Sequence, residues 1–402
     1  MGDKVELRIV RADEEEEFLR LIHYAFGLDK DYSEWTEIRC RRRPEPETME
    51  HYGYFVDGRM ASTCALLPLR FRSRGSVVDV GGISEVSTPP EFRRRGYVAD
   101  MLSNFLAILE ERNMYVSALW PFSREFYSRY GWATCAESSR VTLTTENLKK
   151  SLRGFKSTAR FEPAKLDDVD ELDEAHRDWG STYNLSVLRD LEGWRTQVFC
   201  GWKRNPYVYL ARDAGDRVIG HVAYTVQDRD DWDRDLTVTD ISYVDMTAYR
   251  EILSFLANHD SQINRFHFAI SMSDPLFDWI PEGKVERRAG IMVRVSDVRK
   301  SLERLDVPAD LKGSMILSVS DNFMPANSGS VAIEVHGGRI LTHPTESSPD
   351  VEMDVKGYTQ LYTGYRSADD LHRLGLLDDH RGTREFLGTL LPPMKTYMPE
   401  HF

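Results

Sequence analysis

Alternation and helical periodicity divide the chain into short, recognisable elements. Residues 4–10 alternate as a strand does. Residues 13–25 then place Phe18, Leu21, Ile22 and Ala25 on one helical face, with Asp13 as the expected N-cap and Glu16 as its capping-box partner. Residues 52–56 and 61–69 read as strands joined across Asp57-Gly58, a strong hairpin signal. Residues 77–86 continue the sheet as far as Pro89-Pro90, which can donate nothing to a ladder. A helix follows, because Val98, Met101, Leu102, Phe105 and Leu109 share one face at a 3.6-residue period. Residues 115–120 are aromatic and β-branched enough for the next strand.

After Lys149-Lys150 the pattern starts again. A strand at 159–161 precedes a helix carrying Leu166, Val169 and Leu172. Strands are expected at 207–212 and 218–226 around Gly215-Asp216, then at 236–243, 266–271 and 292–295, with a helix at 249–258. The last hundred residues change character: a stretch at 311–321 leads through Pro325-Ala326-Asn327 to a strand at 331–335, followed by a segment at 354–361 and a helix at 368–374. The order of pieces predicts an α/β fold with mixed α+β sheets in three domains, 1–150, 151–297 and 298–402.

Composition narrows the function classes. The 402 residues are 41% hydrophobic and 29% charged, ordinary for a soluble globular protein. No apolar run is long enough for a bilayer, and the acidic N-terminus is unlike a leader, so a cytoplasmic protein without a membrane span is expected. A net charge of −13 speaks against nucleic-acid binding and is compatible with cationic substrates. Cys40, Cys64, Cys135 and Cys200 are scattered, and no histidines stand at ligand spacing, so no metal is expected.

The chemistry concentrates at residues 81–132. Arg93, Arg94, Arg95 and Gly96 stand immediately before a helix start, where unpaired N–H groups and the positive dipole end favour an anion. Glycine lets backbone approach a ligand, and arginine forks match phosphate oxygens. A solvated basic turn is the alternative.

The run Arg93-x-x-Gly96 after a strand resembles the pyrophosphate loop of the GNAT acetyltransferases, whose pattern is Arg/Gln-x-x-Gly-x-Gly/Ala; here the last position is Val98. Phe126-Tyr127-Ser128-Arg129-Tyr130-Gly131-Trp132 resembles the second signature of that family. The residues after 243 read VDMTAYRE and lack the loop, so the second copy is expected to be degenerate and to bind no CoA. Two GNAT-like domains followed by a sterol-carrier-like domain resemble the enhanced intracellular survival (Eis) acetyltransferases across essentially the whole chain.

That resemblance implies an acetyl-CoA-dependent N-acetyltransferase acting on a primary amine of a cationic acceptor: an aminoglycoside, a polyamine, or a lysine-like small molecule or peptide. It also implies a homo-oligomer, commonly a hexamer. By the same resemblance Val86, Ser87 and Thr88 hold the pantetheine. Arg94, Arg95, Gly96, Tyr97, Val98 and Ala99 hold the pyrophosphate, and Phe122 and Ser123 add a second cofactor contact. Tyr127 is implied as general acid and the terminal carboxylate of Phe402 as base, with Glu85 as the rival base. Phe26, Trp35, Glu85 and Glu400 are expected near the acceptor. Tyr127 as a plain core aromatic stays open. A different class of function, an acyl-CoA or lipid-binding sensor without transferase activity, stays open as well.

Overall fold

The computed structural model describes residues 4–27, 29–42, 49–200, 205–230, 233–280 and 282–402, with the side chains of residues 41, 42 and 230 set aside. Three mixed sheets form the frame. The strands run β1 (Val5–Ile9), β2 (Glu50–Val56), β3 (Arg59–Ser73), β4 (Ser76–Ser87), β5 (Val116–Leu119), β6 (Ala133–Thr134), β7 (Glu137–Thr144), β8 (Arg160–Pro163), β9 (Tyr207–Arg212), β10 (Val218–Asp230), β11 (Asp233–Tyr243), β12 (Arg265–Ser271), β13 (Lys284–Ala289) and β14 (Met292–Val295). A five-stranded sheet from the final hundred residues completes the set. Among the described residues no helix is long and apolar enough to cross a membrane.

The first sheet has the order β1-β2-β3-β4-β5-β14-β6 and the second β13-β7-β12-β11-β10-β9-β8. The two halves therefore exchange strands. β7 leaves the first half and pairs with β12 and β13, while β14 returns to sit between β5 and β6. Residues 292–295, expected to end the second copy, instead complete the first sheet. The first two sheets thus do not divide at residue 150, whereas all strands of the third lie beyond 297. Every residue of β14 is fully buried, including Arg294, so each half needs the other to close its sheet.

Local signals hold where short-range chemistry decides them. Asp57 and Gly58 both have positive φ, as a tight hairpin turn requires. The helix α1 (Glu15–Phe26) starts later than Asp13, and α2 (Tyr32–Arg42) follows it. The expected Asp13–Glu16 capping box does not form. Glu14 takes the position before α1, and its carboxylate accepts from both Arg8 Nη atoms (2.7 and 2.8 Å) and from the Arg11 amide (3.0 Å). Glu16 pairs with Arg20 one turn on.

The helix α3 (Tyr97–Glu111) packs Met101, Leu102, Phe105, Leu106 and Leu109 onto the first sheet with no exposed surface. Burying each such side chain contributes about 1.5–3 kcal/mol. After it come α4 (Arg124–Ser128), α5 (Thr145–Ser151), α6 (Val169–Gly180), α7 (Leu191–Trp194) and α8 (Met246–Ala257). In the third domain, Leu317, Ile333, Val351, Leu361 and Leu371 are fully buried within one apolar cluster.

Candidate active site

The parallel ladder between β4 and β5 ends at Ile83↔Leu119. Just beyond, β4 bulges: Ser84 stands opposite Ala65 and Ser87 opposite Thr63, so Glu85 and Val86 face the single residue Cys64. Glu85 takes a positive φ of 56°, and the Thr63 hydroxyl donates to its carbonyl at 2.8 Å. A bulge at a strand's end re-aims backbone groups and opens the sheet edge.

The basic loop lies at the end of this opening. Arg94 (φ 61°) and Gly96 (φ 86°) are both left-handed, and α3 begins at Tyr97 with no side chain capping it. A Cβ placed on Gly96 would meet nothing within 4 Å, so the backbone here faces open space. Successive amides turned this way, with exposed Arg94 and Arg95 beside them, form a cradle that fits a diphosphate. Arg93 is committed, its Nε donating to the Thr88 carbonyl at 2.9 Å. Ser87 and Thr88 also use their hydroxyls internally, toward the Leu21 carbonyl (2.9 Å) and Ser62 (2.8 Å), leaving backbone for a ligand.

The second half repeats the opening without the cradle. The β11–β12 ladder ends at Thr237↔His267, and Thr239 is an extra residue in β11, between Val238 and Asp240. The helix α8, however, starts on Asp245, whose carboxylate accepts from the Ala248 amide at 2.8 Å. A fixed negative charge on the first turn repels a phosphate and occupies a donor it would need.

A cavity of about 520 Å³ adjoins the bulge in the first half. Its lining includes Glu85, Val86, Phe122, Tyr127, Phe26, Trp35 and Phe402, which the sequence reading had distributed among cofactor, catalysis and acceptor. Ser123 caps α4 by accepting from the Phe126 amide at 3.2 Å. That helix presents Tyr127, 3% exposed and packed against Phe122, Phe126 and Trp132. Burial, and secondarily nearby Cys64, push its phenol above the usual range, so it keeps its proton at neutral pH. Among the described residues nothing hydrogen-bonds its hydroxyl. Phe122, 70% exposed, stands at the rim.

The last residues reach this cavity along a defined track. The Tyr397 hydroxyl donates to the Ala269 carbonyl at 2.8 Å, on the far side of the β11–β12 opening. Trp120 Nε1 donates to the Glu400 carbonyl at 2.8 Å, and its indole stacks on His401 at 4.0 Å. Gln197 bonds His401 on both sides, donating to its carbonyl (3.0 Å) and accepting from its amide (3.3 Å). The Phe402 ring then lies over Gly82, where a Cβ would come within 3.2 Å of it.

Two expected acceptor acids are otherwise engaged. Glu400 does not line the cavity; it is buried and bonded to Arg189 Nε at 3.0 Å. Glu85 does line the cavity, but Arg39 holds its Oε1, and His51 Nε2 lies 3.6 Å from Oε2. Arg39, Arg189 and Gln197 carry no local motif, and sequence reasoning missed all three.

Comparison with known proteins agrees with this geometry. Residues 6–135 and 185–295 each match an acetyltransferase (GNAT) domain, and residues 298–399 match a sterol carrier protein domain. An uncharacterized N-acetyltransferase of Streptomyces avermitilis is 25% identical over 393 residues, spanning 93% of this chain and 92% of that protein. The N-acetyltransferase Eis of Mycobacterium tuberculosis is 23% identical over 322 residues, 76% of each chain. The chain belongs to the Eis-like GNAT N-acetyltransferases. The fold is shared with a probable N-acyltransferase from Enterococcus faecalis (TM-score 0.89, 20% identity, 99% of this chain and 100% of that one). It is shared also with Eis1 from Mycobacterium abscessus (TM-score 0.79, 18% identity, 99% and 100%). As a GNAT enzyme it uses an acyl-CoA cosubstrate. Among the described residues of this Eis-like chain, only the first GNAT domain combines the strand opening with an uncapped, glycine-led helix start.

Proposed function

We propose that the protein transfers acetyl from acetyl-CoA directly to a primary amine, in the cavity of the first domain. The observation that carries this reading is one cavity that joins Tyr127, Phe402 and the β4 bulge, beside the open N-terminus of α3. Val86, Ser87 and Thr88 would hold the pantetheine through backbone. Arg94, Arg95 and the amides from Gly96 to Ala99 would hold the diphosphate, with Phe122 and Ser123 flanking the entry. The thioester, when bound, supplies an activated acyl carbon.

The chain's own groups then divide the proton work. The terminal carboxylate of Phe402 accepts a proton from the amine, directly or through water, so that the nitrogen lone pair can attack. A backbone N–H at the bulge, that of Val86, meets the charge developing on the carbonyl oxygen. Tyr127 donates to the departing thiolate; its burial keeps the phenol protonated for that step. The ion pair between Glu85 and Arg39 supports Phe402 over Glu85 as the base. Transfer is direct, so no cysteine nucleophile is needed. The packed interior of the third domain supports a structural role over lipid carriage. A cytoplasmic homo-oligomer, a hexamer by kinship, completes the reading.

The test is thiol release from acetyl-CoA across a panel of amines. Turnover in the native protein and its loss in Tyr127→Phe, with CoA affinity retained, is the expected result. CoA binding without turnover of any amine would refute the transferase reading.

A further inference from the structure

The second half keeps a cavity of its own, of about 750 Å³. It lies where β11 and β12 part, beyond the last pair of their ladder at Thr237↔His267, and takes Thr239 and Asp240 from one strand and Ala269 and Ile270 from the other. A diphosphate does not suit it, because Asp245 caps the helix that a phosphate would need. The tail forms one side through Tyr397, Met398 and His401, and Trp120, Gln197 and His401 line the first cavity as well. Residues 201–204, between Cys200 and Pro206 of the lining, lie outside the described residues.

Among the described residues the carboxylates on this lining are Asp228, Asp240 and Asp274. Two are matched by cations. Arg189 grips Asp240 with two bonds of 2.8 Å, and Arg234 Nε donates to Asp228 at 2.7 Å. Asp274 is 7% exposed and has no ion pair among the described residues. Its Oδ1 accepts from the Tyr249 hydroxyl at 3.0 Å and from the Leu276 amide at 2.8 Å, while its Oδ2 accepts from none of the described residues. Burial pushes this carboxyl up to about 6, so it is still ionised at neutral pH. A buried carboxylate without a cation is costly, and a cationic ligand would relieve that cost. Aromatic side chains surround it. Burial first, and the Asp274 charge next, push up the phenols of Tyr183, Tyr243 and Tyr397. Tyr243, Tyr397 and Trp179 line the cavity, and the Trp179 ring lies 5.1 Å from Tyr183 and 6.0 Å from Tyr397. A cation among such rings is attracted by their quadrupoles as well as by the carboxylate. The remaining polar lining, Ser138, Gln197, Gln227 and the threonines of β10 and β11, is neutral, and His401 is its titratable base.

We propose that the second-half cavity is a separate binding site for an organic ammonium, with Asp274 as its counter-ion and Trp179, Tyr243 and Tyr397 as its aromatic wall. The ligand's N–H meets Asp274 Oδ2, and its organic body lies along the threonines of β10 and β11. The ligand is held and not acetylated, since this half has no diphosphate cradle among the described residues. The proposal does not depend on the transferase reading, because it concerns binding in the other half.

The probe is N,N-dimethylbenzylamine, which is protonated at neutral pH, keeps an N–H in that form and cannot become an amide. Its binding to the full chain is measured by calorimetry. Asp274→Asn retains an oxygen for the Tyr249 and Leu276 bonds and loses the charge, so it should fold, with Tm as the check. It should weaken binding at one site by about tenfold or more, the scale of a lost charge-assisted contact. Native crystals soaked with the 4-bromo derivative give a second arm that needs no variant. The bromine signal is expected in this cavity, with the amine nitrogen in hydrogen-bond reach of Asp274 Oδ2. Equal affinity of the native chain and a folded Asp274→Asn would overturn the proposal. So would bromine in the first cavity alone, or in neither.

Discussion

Arg189 and Glu400, 211 positions apart in sequence, are joined inside the protein: Arg189 Nε lies 3.0 Å from Glu400 Oε1. The same guanidinium grips Asp240 with two bonds of 2.8 Å, and Asp240 in turn accepts from or shares with His221 Nε2 at 2.6 Å. Arg189 is 2% exposed at its side chain, so these charges are desolvated and need one another. Glu400 lies two residues before the chain end, and this cluster fixes where the tail enters the cavity. Removing the cation in Arg189→Ala should destabilise the fold by roughly 3–5 kcal/mol, read as the urea midpoint at constant m-value. Arg189→Lys keeps the charge but not the fork. It should remain folded and lose turnover far more than CoA affinity.

The tail itself gives a second prediction. Phe402 lies over Gly82 and His401 is held by Gln197 and Trp120, so under the proposed assignment residues added after Phe402 remove the base. A short C-terminal extension should reduce kcat by about 10²-fold or more, the scale of a lost general base. CoA binding, measured by calorimetry, should be nearly unchanged. Equal activity of the extended and native chains would exclude the terminal carboxylate as base.

Two left-handed glycines should respond differently to alanine. At Gly96 (φ 86°) an added Cβ meets open space, so only backbone strain of roughly 1–2 kcal/mol applies. Gly96→Ala should fold, with a modestly lower Tm and weaker CoA binding. At Gly131 (φ 88°) the Cβ would lie 1.5 Å from Arg294 Nη1. Arg294 is fully buried, bonded to the Tyr130 carbonyl (2.6 Å) and to Asp321 (2.5 Å), and cannot withdraw. Gly131→Ala therefore adds overpacking of about 1–3 kcal/mol to the same strain. Its Tm should fall well below that of Gly96→Ala.

Acid sensitivity follows from Glu14. The Arg8 side-chain bonds, with the Arg11 amide, hold its carboxyl at about 2, below the ordinary 4.5. A folded-state value below the unfolded one means stabilisation that is present above about pH 4.5 and lost as the pH falls toward 2. Glu14→Gln should thus lower Tm at pH 7, and the difference from the native chain should shrink steadily below pH 4.5. A constant difference across that window would refute the linkage.

Much of the architecture was legible in the chain because it depends on near neighbours. Helical periodicity places Met101, Leu102, Phe105 and Leu109 on the buried face of α3, as found. Asp57-Gly58 makes its hairpin because both residues tolerate positive φ. The Arg93–Gly96 loop and the Phe126–Trp132 stretch are local signatures, and they name the family. Asp13 and Glu16 show the limit even at short range: Arg8 on the neighbouring strand drew Glu14 into the position before the helix, and Glu16 turned to Arg20.

Tertiary structure alone decided the rest. The exchange of β7 and β14 between sheets is set by which buried edges pair, and an alternating strand carries no address for its partner. Glu85 looked like a free acid on a strand until Arg39, on α2, neutralised it. Glu400 looked available near the chain end until the fold buried it against Arg189. Periodicity and motif depend on contacts within a few residues, so the sequence by itself determined many of the elements and the family. The charge inside the cavity depends on ion pairs between residues 46 and 211 positions apart, and only the folded chain brings those partners within reach.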